Sequence, residues 1–156
     1  MVKIYVIDTN VLIQNPQALL SFGDNQVILP VVVLEELDNL KKAEGEKGRN
    51  ARAATRILEE LRLKGNLLEG VKLESQGIVR VEKNYIDVKL PEDLPEDKMD
   101  NRILKVCRGL ADTSGEQVVL VTKDILLRIK AQIIGIRAED YTTEQVAEYE
   151  GQYKGR

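Results

Sequence analysis

Two acidic residues follow the apolar runs of this chain that are most typical of buried strands. Asp8 comes directly after the run 3–7, and Asp124 comes three residues after the run 118–121. In parallel α/β sheets the carboxyl ends of the strands share one edge, and binding sites form there. An Asp before an apolar run is also a standard helix N-cap. Each of the two acids is therefore either a helix cap or part of a binding site, and in both cases it lies at the same edge of the sheet.

A third acid, Asp100, lies on the apolar side of a predicted helix. At about 100° per residue it projects roughly 20° from the centre of the apolar stripe, whereas Arg102 and Lys105 project outward. A carboxylate on a core-facing stripe is costly unless something binds it. We therefore expect Asp100 to make either a cap bond to its own helix or a bond to a metal ion. The stripe consists of Ile103, Leu104, Cys107 and Ala111.

The predicted helix over residues 31–42 supplies further acids. Glu35 projects nearly opposite to the apolar stripe and is expected to be solvated. Glu36 and Asp38 flank the stripe on its two edges at similar angles, so periodicity alone leaves both as candidates for one role. The stripe itself consists of Val33, Leu34, Leu37 and Leu40.

Four carboxylates are thus predicted to converge at one end of the sheet. Carboxylates held close together raise one another's pKa and destabilise the fold, and a divalent cation relieves that repulsion. Oxygen ligands favour Mg²⁺ or Mn²⁺ over zinc. The four acids are Asp8, Glu36 or Asp38, Asp100 and Asp124, and neutral polar groups at the same edge are Thr9, Asn10 and Thr122.

The composition excludes several other kinds of catalysis. The 156 residues include no histidine, which rules out Ser-His-Asp and Cys-His machinery as well as His-based zinc sites. Cys107 is the one cysteine, so it can form neither an intrachain disulfide nor, by itself, a metal site. With 43% hydrophobic residues, a chain of this length suits one globular domain with a real core.

Short apolar runs alternate with helical patterns along the chain, which predicts a parallel sheet covered by helices on both faces. Glycines at 45 and 48 are expected to separate the second helix from the third, and residues 66–77 are expected to be irregular. The predicted strands are residues 3–7, 27–29, 78–83, 118–121 and 136–137. The predicted helices are residues 16–22, 31–42, 49–63, 99–110 and 125–134.

Residues 1–138 are predicted to form the folded domain, and residues 139–156 a tail or the start of a linker to a missing domain. The apolar run at the N-terminus is too short for the core of a signal peptide. No stretch approaches the roughly 18 apolar residues of a membrane span. We therefore expect a cytoplasmic protein that does not associate with membranes.

Four motifs, in this order, resemble those of the PIN domain family, and the match extends over about residues 1–138. The motifs are Asp-Thr-Asn-Val-Leu at 8–12, Val-Leu-Glu-Glu-Leu at 33–37, Asp100 with Ile103 and Leu104, and Val-Thr-Lys-Asp at 121–124. Residues 32–38 and the Asn-Ala-Arg run at 50–52 are most similar to the PIN domain at the N-terminus of PhoH-like ATPases.

The resemblance implies a three-layer α/β/α Rossmann-like sandwich with a central, mainly parallel twisted sheet. It also implies a metal-dependent nuclease that hydrolyses single-stranded RNA, with Mg²⁺ or Mn²⁺ as cofactor. It selects Glu36 over Asp38 as the second acid. One departure is Asn101, where many relatives carry a further acid. Carried over by position, the metal ligands and catalytic acids are Asp8, Glu36, Asp100 and Asp124, and the residues that support the metal or its water are Thr9, Asn10 and Thr122.

Binding of RNA would have to rest on local basic groups, because the net charge is −3 at pH 7. Three arginines spaced three and four apart share one helix face, which predicts either a phosphate track or a solvated surface. Two further cations lie next to predicted ligands, where they would contact the scissile phosphate or pair with the acids. Few aromatic residues are available for base stacking, so we expect poor sequence specificity. The candidate RNA-binding residues are Arg49, Arg52, Arg56, Arg102 and Lys123.

Single residues argue against two other functions that use an acidic metal site on a similar fold. A receiver domain needs paired acids after the first strand, where Thr9 follows Asp8, and an aspartyl phosphatase needs a second Asp where Asn10 stands. The main alternative is a weakly active or inactive PIN-fold module that binds RNA and regulates a PhoH-like ATPase. Residues 1–156 contain no Gly-x-x-x-x-Gly-Lys-Ser/Thr phosphate loop, so an ATPase partner domain would belong to a longer chain. Homo-oligomerisation is a further hypothesis from the family resemblance.

Overall fold

The computed structural model describes residues 2–142. None of the helices in this part of the chain combines the length and the apolar character needed to cross a bilayer. The strands are β1 (Ile4–Ile7), β2 (Gln26–Pro30), β3 (Val71–Lys72), β4 (Ile78–Glu82), β5 (Val118–Val121) and β6 (Arg137–Glu139). The helices are α1 (Thr9–Gln14), α2 (Val31–Leu40), α3 (Gly45–Lys64), α4 (Met99–Ser114) and α5 (Ile125–Ile133), and a 3-10 helix spans Pro16–Leu20.

The strands form one sheet in the order β3-β4-β2-β1-β5-β6. β1 pairs in parallel with β2 and β5, β2 pairs in parallel with β4, and β5 with β6, while the short β3 is antiparallel to β4. Ile7 of β1 lies opposite Val121 of β5. The residues that follow them, Asp8 and Thr122, therefore come side by side at the carboxyl edge. The predicted α/β class with a mainly parallel sheet is confirmed.

Helices cover both faces of the sheet and complete the three α/β/α layers. From β1 the chain moves to β2 and then to β4, towards one edge of the sheet. From β4 it crosses back to β5 and then to β6, towards the other edge. Right-handed crossovers then place the helices before β4 and the helices after it on opposite faces. All four residues of β1 and all four of β5 are buried. Continuous apolar runs are what a strand covered on both faces requires.

Several helical boundaries differ from the predicted ones. The segment after β1, for which no helix was predicted, is helix α1 with Asp8 as its N-cap. The predicted helix over residues 16–22 is a shorter 3-10 helix. Gly45 and Gly48 were expected to lie between α2 and α3, but both belong to α3, which begins at Gly45. The predicted irregular region contains the two-residue strand β3, because backbone groups there can pair with the edge of β4.

The segment between β4 and α4 folds over one side of α4. The ring of Tyr85 packs so closely on this helix that a Cβ atom at Gly109 would lie 2.2 Å from it. Lys105 was predicted to project outward but is buried beneath this segment. Its ammonium lies 3.4 Å from the carbonyl oxygen of Ile86 and 3.6 Å from the carboxylate of Glu96. Helical periodicity gives the angle of Lys105 on α4 and carries no information about a distant loop that covers that angle.

The fold continues slightly beyond the predicted boundary at residue 138. Strand β6 includes Glu139, and the side chain of Tyr141 is buried against Phe22, with ring centroids 5.8 Å apart. The Tyr141 hydroxyl also lies 3.0 Å from the hydroxyl of Ser21. This short stretch has no periodic pattern because each residue has a different partner. The rest of the predicted tail, residues 143–156, lies outside the described residues.

We predict that Gly48→Ala destabilises the domain. A Cβ atom at position 48 would lie 1.8 Å from the backbone oxygen of Ala43, which has little freedom to move. The free energy of unfolding should fall by about 2–3 kcal/mol or more through overpacking. In an open helix interior the same substitution stabilises by about 1 kcal/mol. Urea unfolding followed by circular dichroism measures the change, with the exposed neighbour Lys47→Ala as control, and a more stable Gly48→Ala protein would contradict the close approach.

Candidate active site

Asp8 lies at the carboxyl end of the central strand β1 and is buried, with 7% of its surface exposed. One carboxylate oxygen accepts the backbone N–H of Thr9 at 2.7 Å, and this bond caps α1. The other oxygen accepts the hydroxyl of Thr122 at 2.7 Å and the Nδ2 amide of Asn10 at 3.2 Å. The cap occupies one oxygen, so a structural role and a chemical role for Asp8 are compatible.

Thr122 and Asn10 tie the turn between β5 and α5 to Asp8. The Thr122 hydroxyl donates to Asp8 and also accepts the backbone N–H of Asp124 at 3.1 Å. The Oδ1 atom of Asn10 accepts the backbone N–H of Lys123 at 3.0 Å. Two side chains predicted to support the site therefore hold the backbone of a third segment in a fixed relation to the central acid.

The structure distinguishes Glu36 from Asp38, which helical periodicity left open. Glu36 is partly buried, and its Oε1 atom accepts the hydroxyl of Thr9 at 2.7 Å. Asp38 is exposed and pairs with Lys41 at 2.8 Å, and the hydrogen bond from that lysine lowers the pKa of Asp38. Glu36 is thus connected to the segment that carries Asp8, and Asp38 belongs to the outer surface of α2.

Asp100 lies in the first turn of α4 and pairs with a residue that sequence reasoning missed. Its Oδ2 atom is 3.0 Å from the ammonium of Lys130 on α5. The same ammonium lies 3.2 Å from Oδ1 of Asn101. We expected a carboxylate on this stripe to need a partner, and the partner in the structure is a lysine rather than a cap bond to its own helix.

Asp124 is the N-cap of α5, as its position before an apolar run predicted. Its Oδ1 atom accepts the backbone N–H groups of Leu126 at 2.9 Å and Leu127 at 3.4 Å. The residue is exposed, and its other oxygen makes no hydrogen bond within residues 2–142. Like Asp8, this acid caps a helix with one oxygen while the carboxylate faces the sheet edge.

The four acids line a single cleft of about 460 Å³. They are not tightly clustered, because no three acidic or cysteine side chains in the described part of the chain lie close enough together to form a metal-binding group. The predicted convergence is thus looser than expected. Glu36 is drawn to Thr9, Asp124 to the N-terminus of α5 and Asp100 to Lys130. The cleft is lined by Asp8, Thr9, Asn10, Ile13, Glu36, Lys98, Met99, Asp100, Ile103 and Asp124.

Burial raises the pKa of the Asp8 carboxyl from 3.8 to about 6. Loss of hydration is the largest cause, and the hydrogen bonds from Thr122 and Thr9 oppose it by favouring the charged form. The negative charges of Glu36 and Asp124 raise the pKa further. The protein's own donors therefore compensate the charge of Asp8 only in part.

The donor set fits a hard divalent cation. The acids that line the cleft offer carboxylate oxygens, which Mg²⁺ and Mn²⁺ prefer. A cation there would also relieve the repulsion that Asp8 experiences from its acidic neighbours. Cys107 takes no part, since it is fully buried and burial raises the pKa of its thiol. The predicted ligands Asp8, Glu36, Asp100 and Asp124 all line this cleft, although in this arrangement they do not form a compact group.

The three predicted arginines of α3 have different environments. Arg49 and Arg56 are exposed and make no ion pair within residues 2–142. Arg52 instead donates Nη1 to the carbonyl oxygens of Lys41 at 2.7 Å and Ala43 at 3.3 Å. Its guanidinium therefore connects α3 to the chain that leaves α2, which is a structural role.

The two other predicted RNA-binding residues lie outside the lining of the cleft. Arg102 is exposed on α4, as its angle on the helix predicted. The ammonium of Lys123 is 2.9 Å from Asp140 and 2.8 Å from the carbonyl oxygen of Tyr141. Its neighbours in sequence belong to the site, but Lys123 itself ties β5 to the segment after β6.

Sequence reasoning missed Lys130 and the cleft residues Ile13, Lys98 and Met99. A signal for Lys130 is present, because it lies three residues after Leu127 and directly before Ala131, both fully buried. A lysine on the inward stripe of a helix needs a partner for its ammonium. The other three carry no local signal, since the cleft wall is assembled from separate segments.

A model of the PIN domain family matches residues 5–142. The chain belongs to the PIN domain family. PIN domains are generally metal-dependent nucleases and typically bind divalent metals. The family resemblance inferred from the four motifs is confirmed. The PIN domain includes β6 and the buried Tyr141, in agreement with the matched range.

The relatives of this PIN domain are considerably longer proteins. Protein PhoH2 of Bacillus subtilis is 44% identical to this chain. The match includes 99% of this chain but only 36% of the length of that protein. The proteins of the same name from Thermobispora bispora and Mycolicibacterium smegmatis are 39% and 40% identical over 94% and 93% of this chain. The chain spans about a third of the length of these relatives. The similarity to PhoH-like proteins is therefore confirmed.

A solved structure has the same fold. It is a domain of a functionally unknown protein from Methanocaldococcus jannaschii, with a TM-score of 0.56 and 21% sequence identity. The match covers 90% of this chain and 91% of that domain. At this identity the comparison supports the fold alone.

We predict that Asp8→Asn stabilises the domain at neutral pH in the presence of EDTA. The folded state holds the Asp8 proton up to about pH 6, whereas the unfolded state loses it near 3.8. The contribution of Asp8 to stability therefore falls as pH rises through this window. Near pH 4 the two proteins should differ little, and at pH 7 the variant should be more stable by roughly 1–3 kcal/mol.

Urea unfolding at both pH values measures this difference. Asp38→Asn is the matched control, because the pKa of Asp38 is lowered in the folded state. The ionised Asp38 side chain therefore contributes stability that is lost as the pH falls, so its removal should change stability with pH in the opposite direction. Equal stability differences at pH 4 and pH 7 for Asp8→Asn would show that Asp8 is not an uncompensated buried charge.

Proposed function

We propose that this PIN domain is a Mg²⁺- or Mn²⁺-dependent ribonuclease that hydrolyses phosphodiester bonds of single-stranded RNA. The observation that carries the proposal is one cleft that collects Asp8, Glu36, Asp100 and Asp124 from four separate segments of the chain. The partly compensated charge of Asp8 supports a cation as a further partner of its carboxylate. Membership of a family of nucleases supports hydrolysis as the reaction.

The acids of the cleft would hold the ion, and the polar residues around them would keep them in place. A bound divalent cation supplies Lewis acidity at a phosphate group and lowers the pKa of water. Thr122 and Asn10 orient the Asp8 carboxylate by donating to one oxygen. Thr9 fixes Glu36 through its hydroxyl. The carboxylates are thus oriented before any substrate arrives, which limits reorganisation during the reaction.

The rest of the cleft is suited to an unpaired nucleotide. Ile13, which is partly exposed, and Met99, which is exposed, form an apolar part of the wall beside the acids. The face of an unpaired base or sugar can pack on such a surface, which a base inside a duplex cannot do. Lys98 is exposed in the same lining and would meet a phosphate. None of these contacts reads base edges, so cleavage should depend weakly on sequence.

The longer relatives support a partner domain in the same protein. This chain covers about a third of each PhoH2 relative. We infer that the PIN domain works beside an ATPase domain that would deliver single-stranded RNA to the cleft.

We predict that the purified domain cleaves a labelled, unstructured RNA with Mn²⁺ or Mg²⁺ and stops in EDTA. Asp8→Asn and Asp100→Asn should each lower the cleavage rate by roughly 100-fold or more, on the scale of losing one transition-state charge contact. Gel analysis of the time course measures the rates. Asp38→Asn changes charge equally on the outer surface of α2 and should cleave like the unchanged protein.

Two results would count against this function. Cleavage that persists in EDTA, or in both cleft variants, would point to a contaminating nuclease. Intact RNA that the protein nevertheless binds would favour the non-cleaving regulatory module over the enzyme.

We also predict that Arg49→Ala and Arg56→Ala weaken RNA binding without a preference for sequence. Each variant should lower the slope of log affinity against log salt concentration by about 1, because each removes one phosphate contact. Filter binding at several salt concentrations in EDTA measures the slope. Arg52→Ala is the matched control, since its guanidinium binds Lys41 and Ala43. It should leave the slope unchanged and lower stability by about 1 kcal/mol. An equal slope change for all three would contradict this division of roles.

A further inference from the structure

Helix α5 directs a lysine towards the protein interior. Lys130 lies at the edge of the stripe that Leu127 and Ala131 form, and both of those residues are fully buried. The Lys130 side chain is 24% exposed. A lysine in this position lays its aliphatic stem along apolar surface and must bring its ammonium to a polar partner.

The ammonium of Lys130 has two partners in the first turn of α4. It lies 3.0 Å from Oδ2 of Asp100 and 3.2 Å from Oδ1 of Asn101. One partner is a charged acid that lines the cleft, and the other is a neutral amide with no exposed surface. The two contacts differ because only Asp100 lines the cleft, where a cation could reach its carboxylate, and Asn101 does not.

The orientation of Asn101 is set by a third group. Its Nδ2 amide donates to the carbonyl oxygen of Pro95 at 2.7 Å. Because that carbonyl needs a donor, the amide nitrogen must face it, and Oδ1 is left to accept from Lys130. A carboxylate at position 101 would place an acceptor against an acceptor. The asparagine therefore keeps the ammonium beside Asp100 without adding negative charge to the cleft.

We propose that Lys130 is a positioning residue that competes with the divalent cation for Asp100 and so limits the cation affinity of the site. The inference rests on the proposed function. Lys130 draws Asp100 towards α5, while Thr122 and Asn10 hold Asp8 at the end of β1. This accounts for a cleft in which the acids share one wall without forming a tight group.

Competition between Lys130 and a cation for Asp100 would lower the affinity of the cleft for that cation. A cation that binds Asp100 must share this carboxylate with an ammonium that Asn101 retains nearby. Each opposes the other through like-charge repulsion. Removing the lysine charge should therefore tighten cation binding, whereas loss of an ordinary structural ion pair would leave it unchanged or weaken it.

Isothermal titration with Mn²⁺ in the absence of RNA tests the proposal. We expect Lys130→Gln to bind Mn²⁺ about tenfold more tightly than the unchanged domain, on the scale of one screened unit charge at short range. The glutamine amide can still donate to Asn101, which keeps the buried oxygen satisfied. Lys130→Arg retains the charge and should bind like the unchanged protein. Thermal unfolding in EDTA checks that every variant is folded.

Two matched control variants separate the effect of the Lys130–Asp100 contact from the general effect of removing a positive charge. Lys98→Gln removes a charge from the same cleft lining, where Lys98 forms no ion pair within residues 2–142, and should change affinity less than Lys130→Gln. Lys41→Gln removes a paired lysine from the outer surface of α2 and should change nothing.

The outcomes separate this inference from the function on which it rests. Tighter binding by Lys130→Gln alone supports the competition, including the case in which only that variant binds measurably. Equal or weaker binding by a folded Lys130→Gln overturns the inference and leaves the ribonuclease intact. No Mn²⁺ binding by either protein overturns both.

Discussion

The structure depends on a buried carboxylate at the junction of two parallel strands. Asp8 ends β1, and the register of β1 with β5 sets Thr122 beside it. A charge in this position is tolerated because a hydroxyl, an amide and a backbone N–H donate to it. Those donors lie at the start of α1 and in the turn before α5. The same bonds that satisfy Asp8 therefore orient the loops that form the cleft.

The remaining acids follow the same electrostatic logic. Each of the other three has its own partner: Glu36 accepts a hydroxyl, Asp124 caps a helix and Asp100 pairs with an ammonium. Separate partners keep like charges apart and limit their mutual repulsion. The arrangement places four carboxylates around one cleft, where the repulsion between them is compensated only by groups of the protein itself. A divalent cation would compete with the existing partners as well as with water.

Capping and chemistry are not alternatives in this domain. Asp8 and Asp124 both cap helices, and both line the cleft. A carboxylate has two oxygens, so one can satisfy a helix N-terminus and thereby fix the direction of the other. Strand ends in parallel α/β folds are followed by helix starts, which explains why one residue can both cap a helix and line the cleft. This economy suits a chain that has no histidine.

Local patterns and short motifs in the sequence predict the mainly parallel sheet, its buried strands, the family and the four acids that line the cleft, and they identify Asp8 and Asp124 as candidate helix caps. The contacts that the acids make with distant segments follow from the tertiary structure, as those of Asp8 with Thr122, Glu36 with Thr9 and Asp100 with Lys130 show. Glu36 and Asp38 have similar helical angles, and only the packing of α2 beside α1 brings one of them to Thr9. Arg52 and Lys123 look like phosphate ligands in sequence, yet backbone carbonyls from other segments bind them. Helical angle is a property of neighbours in sequence, whereas a side chain's partner is set by segments that meet only when the chain has folded.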